Sequence, residues 1–180
     1  MKYLYITLVL LFASCATTKY APIEKGEDPS HHERVIEFNG QSKDQLFSKA
    51  KKWVAIYYNS ANFVTQLSDK DAGELLMKGN SRVQCVKMLG ALLSRDVTHT
   101  LAISVKDNKI RVVMDYNTLI FEATKYNSRG EYNVKEIFQK TNYGLHLKDH
   151  VVFKDGLIKD YNNTCNTIIE FFNDKKNTDW

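Results

Sequence analysis

Apolar and polar positions alternate along this chain with two different periods. From Val97 the period is two, with Val97, His99, Leu101, Ile103 and Val105 interleaved with Thr98, Thr100, Ala102 and Ser104. Ile110, Val112, Met114 and Tyr116 then return opposite Arg111, Val113 and Asp115, and Lys106-Asp107-Asn108-Lys109 supplies the turn. This predicts a hairpin with one buried and one mainly polar face. Upstream the spacing lengthens. Leu46, Phe47, Ala50, Trp53, Val54, Tyr57 and Tyr58 recur at threes and fours, while Lys43, Lys49, Lys51 and Lys52 take other positions. That is an amphipathic helix. Ser42 and Gln45 have the capping-box spacing that starts one, and Asn59-Ser60 is expected to end it.

Shorter signals fill in the order. Arg34 to Phe38 reads as a strand closed by Asn39-Gly40. Phe63, Thr65 and Leu67 alternate with polar neighbours, Asp69 to Gly73 is a turn, and Glu74 to Gly79 reads as the return strand. Residues 82–93 fit both periods, as a strand or a short apolar helix, and residues 126–153 hold only short elements after a loop at Asn127 to Gly130. A final helix is expected from near Gly156, with Ile158, Tyr161, Cys165, Ile168, Ile169 and Phe172 as its stripe. Strand, helix, antiparallel strands and helix, in that order, predict an α+β fold. Its curved antiparallel sheet should carry the N-terminal and C-terminal helices on one face.

The N-terminus follows another logic. Lys2 precedes the apolar run Leu4 to Phe12, broken only by Thr7, and Ala13-Ser14 leads to Cys15. This is the layout of a secretory signal peptide, and a run of nine residues falls well short of the roughly twenty that span a bilayer. Small residues ending at a cysteine resemble the lipobox of bacterial lipoproteins, although Phe12 stands where leucine is usual. The resemblance implies cleavage before Cys15 and acylation of its sulfur and new amino terminus. The alternative is ordinary cleavage near Ala16, which releases a soluble protein. Residues 16–34 hold both prolines and seven charges with little apolar periodicity, the composition of a solvated tether. The expected organisation is therefore a signal at 1–14, a tether at 15–33, one α+β domain at 34–175 and a polar tail at 176–180. The protein is expected to be exported and lipid-anchored at the cell envelope, in the outer membrane, with its folded domain periplasmic or surface-exposed.

Composition narrows the function classes. With 180 residues, 43% of them apolar, the chain can bury a core of its own without metal or disulfide staples. The 25 Lys and Arg against 21 Asp and Glu give only +4, and the lysines are interleaved with acids, so no nucleic-acid footprint emerges.

Candidate chemistry is sparse. His146 and His150 have i, i+4 spacing, which on a helix puts two imidazoles on one side and offers half a zinc site, without the intervening acid of a metallohydrolase. His31 and His32 beside Glu33 fall in the tether, where no geometry is held, and His99 is expected as a hydrogen-bonded core histidine. Cys85 and Cys165, oxidisable once exported, are either a disulfide tying the final helix to the sheet or two separately buried thiols. There is no Gly-rich phosphate loop, no Gly-x-Ser-x-Gly elbow and no catalytic set, and no cofactor is implied. Tyr57, Tyr58, Tyr116, Tyr126, Tyr132 and Tyr143 offer material for a cleft or a partner-facing patch.

The run Val35-Ile36-Glu37-Phe38-Asn39-Gly40-Gln41-Ser42-Lys43, the helix around Trp53, the Gly73-Glu74 turn into Gly79, and Val105 to Arg111 resemble domain of unknown function 4468. The resemblance implies a TATA-binding-protein-like (TBP-like) fold in an exported or lipid-anchored bacterial protein. It supplies no catalytic residues, and a shared fold does not transfer DNA binding. The expectation is a non-enzymatic module that binds a ligand or protein with its sheet face or a sheet–helix groove. Its membrane contact would be the lipidated cysteine, and nucleic acid is not an expected partner. The alternatives are a metal-assisted envelope hydrolase using His146 and His150, and a purely structural envelope lipoprotein.

Overall fold

The alternating segments assemble into one antiparallel sheet in the computed structural model, which describes residues 27–58, 64–125, 128–140 and 143–174. The signal, Cys15, most of the tether and the tail from 176 lie outside the described residues. The elements are β1 (His31–Glu37), α1 (Lys43–Tyr57), β2 (Thr65–Asp69), β3 (Glu74–Met88), β4 (Ala91–Lys106), β5 (Lys109–Phe121), β6 (Gly130–Asn133), α2 (Val134–Gln139) and α3 (His150–Asn173). The strand order is β1-β5-β4-β3-β2, and β6 pairs with the far half of the β5 edge that β1 also uses.

The core lies between one sheet face and the helices. Leu75, Met77 and Val83 of β3, Val97, Leu101, Ile103 and Val105 of β4, and Ile110, Val112 and Met114 of β5 are buried with Leu46, Phe47, Ala50, Trp53 and Val54 of α1. Phe153, Leu157, Ile168 and Phe172 of α3 complete this layer. Each Val, Leu, Ile, Phe or Met side chain among them contributes roughly 1.5–3 kcal/mol on burial. The expected α+β architecture, with both long helices on one face, is the one observed.

Local chemistry sets the ends of α1. The Ser42 N–H donates to Gln45 Oε1 at 2.9 Å, and the Gln45 N–H returns to Ser42 Oγ at 3.3 Å. The Asp107 carboxylate in the β4–β5 turn accepts the Lys43 N–H at 2.7 Å, placing negative charge on the first turn of the helix.

Four boundaries differ from the sequence expectation. First, β1 begins at His31 rather than Arg34, so His31 and His32 belong to the sheet and not to a tether. The His31 N–H closes on the Asp28 carbonyl and the Ser30 carbonyl takes the Tyr116 N–H, so this polar stretch finds its partners on β5. Second, β3 runs on through Gly79-Asn80-Ser81 to Met88, because β4 pairs with it along its whole length. Third, the ambiguous 82–93 is strand, turn and strand, with positive φ at Leu89 (49°) and Gly90 (82°). Fourth, α3 begins at His150, six residues before the expected start, because Phe153 and Leu157 extend its buried stripe through Gly156.

Candidate functional site

No helix among the described residues covers the other sheet face, and strand register decides what that face presents. Lys78 pairs with Thr100, Thr100 with Asp115, and Asp115 with His31, so one row of side chains crosses four strands. The next row is Asn80, Thr98, Thr118 and Asn133. On the other side of the first row come Leu76, Ala102, Val113 and Glu33. The middle of the face is thus hydroxyls and amides, with a small apolar strip beside it.

A bulge sharpens this arrangement. The β4–β5 register shifts between Thr98 and His99, leaving Asn117 without an opposite partner. Its side-chain N–H donates to Thr100 Oγ1 at 3.0 Å, while the Thr118 N–H donates to Thr98 Oγ1 at 3.1 Å. Bulges re-aim side chains in this way. Two shallow grooves, of about 720 and 470 Å³, meet at Thr100 and Asn117. The first runs to Lys78 and Asn80, the second to His31, Asn133 and Lys135. Charges on the face are largely paired: Arg111 grips Glu33 through two contacts of 2.7 and 2.6 Å, His31 meets Asp115 at 2.6 Å, and Arg82 approaches Asp96 at 3.5 Å.

Behind the grooves lies a buried polar line. His99 Nε2 is 2.9 Å from the Tyr58 hydroxyl and its Nδ1 is 3.2 Å from Ser81 Oγ. Gly79, directly opposite His99, makes this possible, since a Cβ there would sit 2.7 Å from His99 Nε2 and 2.6 Å from Tyr58 Cε1. The Tyr116 hydroxyl donates toward the Leu157 carbonyl (3.1 Å) and the Asp160 carboxylate (2.8 Å).

Among the described residues Ser81 and His99 come nearest to a nucleophile and base, yet the pair is poorly suited to catalysis. Burial pushes the His99 pKa down, which weakens it as a base. Its second nitrogen meets a tyrosine rather than an orienting carboxylate, and burial first, then the charges of Tyr57 and Asp160, push that phenol's pKa up. The line is core architecture that holds Tyr58, and so the end of α1, against the sheet.

Residues 32–117 match the family model described as a domain of unknown function (DUF4468) with TBP-like fold. This stretch is a DUF4468 domain. The chain is similar in structure to a TBP-like protein from Parabacteroides distasonis ATCC 8503, with TM-score 0.65 and 13% identity over 89% of this chain and 100% of that one. It is also similar to a DUF4468 family protein from Bacteroides ovatus ATCC 8483, with TM-score 0.63 and 12% identity over 83% of this chain and 90% of that one. At such identities the likeness establishes the fold alone. No curated protein matches the sequence. The DUF4468 match ends within β5, whereas the solved structures extend the likeness over most of the chain.

The residues singled out from sequence do not converge in the DUF4468 fold. His146 is exposed and caps a short 3-10 turn (Leu147–Asp149), whereas His150 is 4% exposed and opens α3 against Phe138. The expected common helix face is therefore absent, because the 3-10 turn intervenes. Among the described residues no three His, Cys, Asp or Glu side chains gather as metal ligands. Cys85 and Cys165 are free, buried thiols rather than a bridge. Burial pushes the Cys85 pKa up to about 11, so it stays protonated. The tyrosines divide: Tyr57 and Tyr58 cluster with Trp53, Tyr132 with Phe121 and Tyr143, and Tyr116 enters the core. Tyr126 lies outside the described residues. What sequence reasoning missed is the open-face row of Lys78, Thr100, Asp115 and His31, drawn from separate strands that only register unites.

Proposed function

We propose that this chain is an exported, lipid-anchored cell-envelope module, and that the open face of its DUF4468 domain binds a polar ligand or a protein partner without chemistry. The observation that carries the binding reading is the pair of adjacent rows rich in uncharged hydrogen-bonding groups, with Asn80, Thr98, Thr100 and Asn117 at their centre. Backed by a rigid sheet, these groups are held in place before a ligand arrives, which limits the ordering cost of binding. Lys78 stands at one end of the grooves and favours a partner with some negative charge there, whereas Lys135 at the other end is paired with Asp28 at 3.0 Å. Arg111 and Arg82 are held by acids, so the face lacks the continuous basic surface that nucleic acid needs. The signal-like N-terminus ending at Cys15 supports the envelope address.

A photo-crosslinking residue at Asn80, compared with one at exposed Lys51 on α1, tests the binding face in the native host. A discrete adduct at Asn80, weakened by Asn117→Ala, is expected. Equal labelling from both positions, or none from Asn80, refutes the assignment.

A further inference from the structure

The β3–β4 hairpin outgrows the sheet. β5 pairs with β4 only as far as Asp96, and β2 covers only the start of β3, so the rungs from Gln84↔Ser94 to Met88↔Ala91 pair with each other alone. An unsupported two-stranded ribbon is marginal in water. Here α3 buttresses the base of the arm, with Gly156 against the Gln84 carbonyl and the Asp149 carboxylate accepting the Lys87 N–H at 3.3 Å.

The tip beyond this support is apolar and exposed. Met88 is 57%, Leu89 101% and Leu92 49% exposed, and Leu147 and Val151, two residues either side of Asp149, are 39% and 43% exposed. Leu89 also contradicts its own turn. Both central residues have positive φ, the geometry that favours Asn-Gly, and leucine adopts it only against a steric penalty. A sequence that breaks a local rule to hold a leucine in solvent points to a contact made by that leucine. Lys87, opposite Leu92, and Lys148, next to Leu147, flank these residues, no acid occurs in the sequence between Val83 and Arg95, and Asp149 is buried.

We propose that this arm docks on the surface of an anionic phospholipid bilayer, with Leu89, Met88 and Leu92 entering the headgroup–acyl boundary and Lys87 and Lys148 facing lipid phosphates. An apolar tip flanked by lysines is the arrangement that such surfaces attract. The inference rests on the membrane-anchored reading above. The described chain begins at Glu27, whose carboxylate is held by Lys154 at 2.6 Å in the first turns of α3, beside the arm's buttress. Cys15 lies twelve residues upstream, a reach of at most about 40 Å, so an anchor there leaves the arm within range of the same membrane.

The test uses the full chain carrying Leu89→Trp, with Asp71→Trp at the opposite end of β3 as reference. Each is mixed with phosphatidylcholine vesicles containing about 30% phosphatidylglycerol and acyl-chain-brominated lipid, raised to millimolar concentration while flotation reports attachment. We expect at least about twofold more quenching for Leu89→Trp than for Asp71→Trp, lost in vesicles of phosphatidylcholine alone. Flotation with equal quenching overturns the arm and leaves the anchor standing. Quenching confined to Leu89→Trp in a chain that does not float supports the arm and removes the anchor, and neither signal overturns both. Equal quenching without phosphatidylglycerol overturns the role of the lysines.

Discussion

Gly156→Ala sets two physical effects against each other with opposite signs. In the interior of a helix, alanine is favoured over glycine by about 1 kcal/mol, so propensity alone predicts a more stable protein. Packing predicts the reverse. A Cβ at position 156 would stand 2.2 Å from the Gln84 carbonyl oxygen and 2.9 Å from Val83 Cγ1, and real Cβ contacts essentially never fall below 3.0 Å. The obstruction is strand backbone at the base of the β3–β4 arm rather than the far end of a flexible side chain, so α3 or the strand must shift by the better part of an ångström. Overpacking of this kind costs about 1–3 kcal/mol, and a backbone carbonyl puts this case at the upper end. Propensity offsets about one of these, leaving a net loss of about 2 kcal/mol, or a fall in Tm of about 4–8 °C for a domain of this size. Thermal and urea unfolding of the variant measure it. Amide exchange should quicken in residues 84–95 before the rest of the sheet, since that arm leans on α3. An unchanged or raised Tm would refute the seating of α3 on β3 at this glycine.

Leu89→Asn should raise stability by about 1 kcal/mol, since asparagine suits positive φ at the first position of this turn; a lower urea midpoint contradicts the turn geometry. Ser42→Ala should lower stability by about 1 kcal/mol through loss of the capping box, with the loss visible in urea unfolding; no change refutes the cap. Burial holds the pKa values of His32, His99 and His150 below the ordinary value near 6.5, so the unfolded chain takes up these protons first. Stability should therefore be complete above that value and fall as pH drops below it. Glu33 and Glu136, held low mainly by Arg111 and Lys140, add their loss only in the glutamate range nearer pH 4. Urea midpoints measured from pH 7.5 to 5 check this, and a flat profile contradicts neutral buried histidines.

What could be read from sequence was periodicity with a strong apolar component. The hairpin from Val97 to Tyr116 and the helix over Leu46 to Val54 declared themselves because their buried positions carry bulky side chains at regular spacing. Where the core contact is made by glycine, the pattern falls silent. Gly79 makes room for Tyr58 and His99, and Gly156 lets α3 touch β3, yet both look like interruptions in a string of letters. Side-chain periodicity alone therefore ends β3 at Gly79 and begins α3 at Gly156, short of the observed Met88 and His150. The start of β1 was missed because His31 and Glu33 face solvent and pair with Asp115 and Arg111, partners roughly eighty residues away. The open-face site was illegible for the same reason. Lys78, Thr100, Asp115 and His31 become neighbours through register alone, and the bulge that turns Asn117 toward Thr100 leaves no mark in composition.

Anchoring through Cys15 is the claim on which both the envelope address and the reach of the arm depend. Intact mass and membrane partition of the protein from its native host, beside a Cys15→Ala variant, test it most directly. The account predicts that the chain begins at Cys15 with added acyl mass and that the variant leaves the membrane fraction. A soluble chain cleaved beyond Cys15 would contradict it, and would leave a free DUF4468 domain binding its partner away from any bilayer.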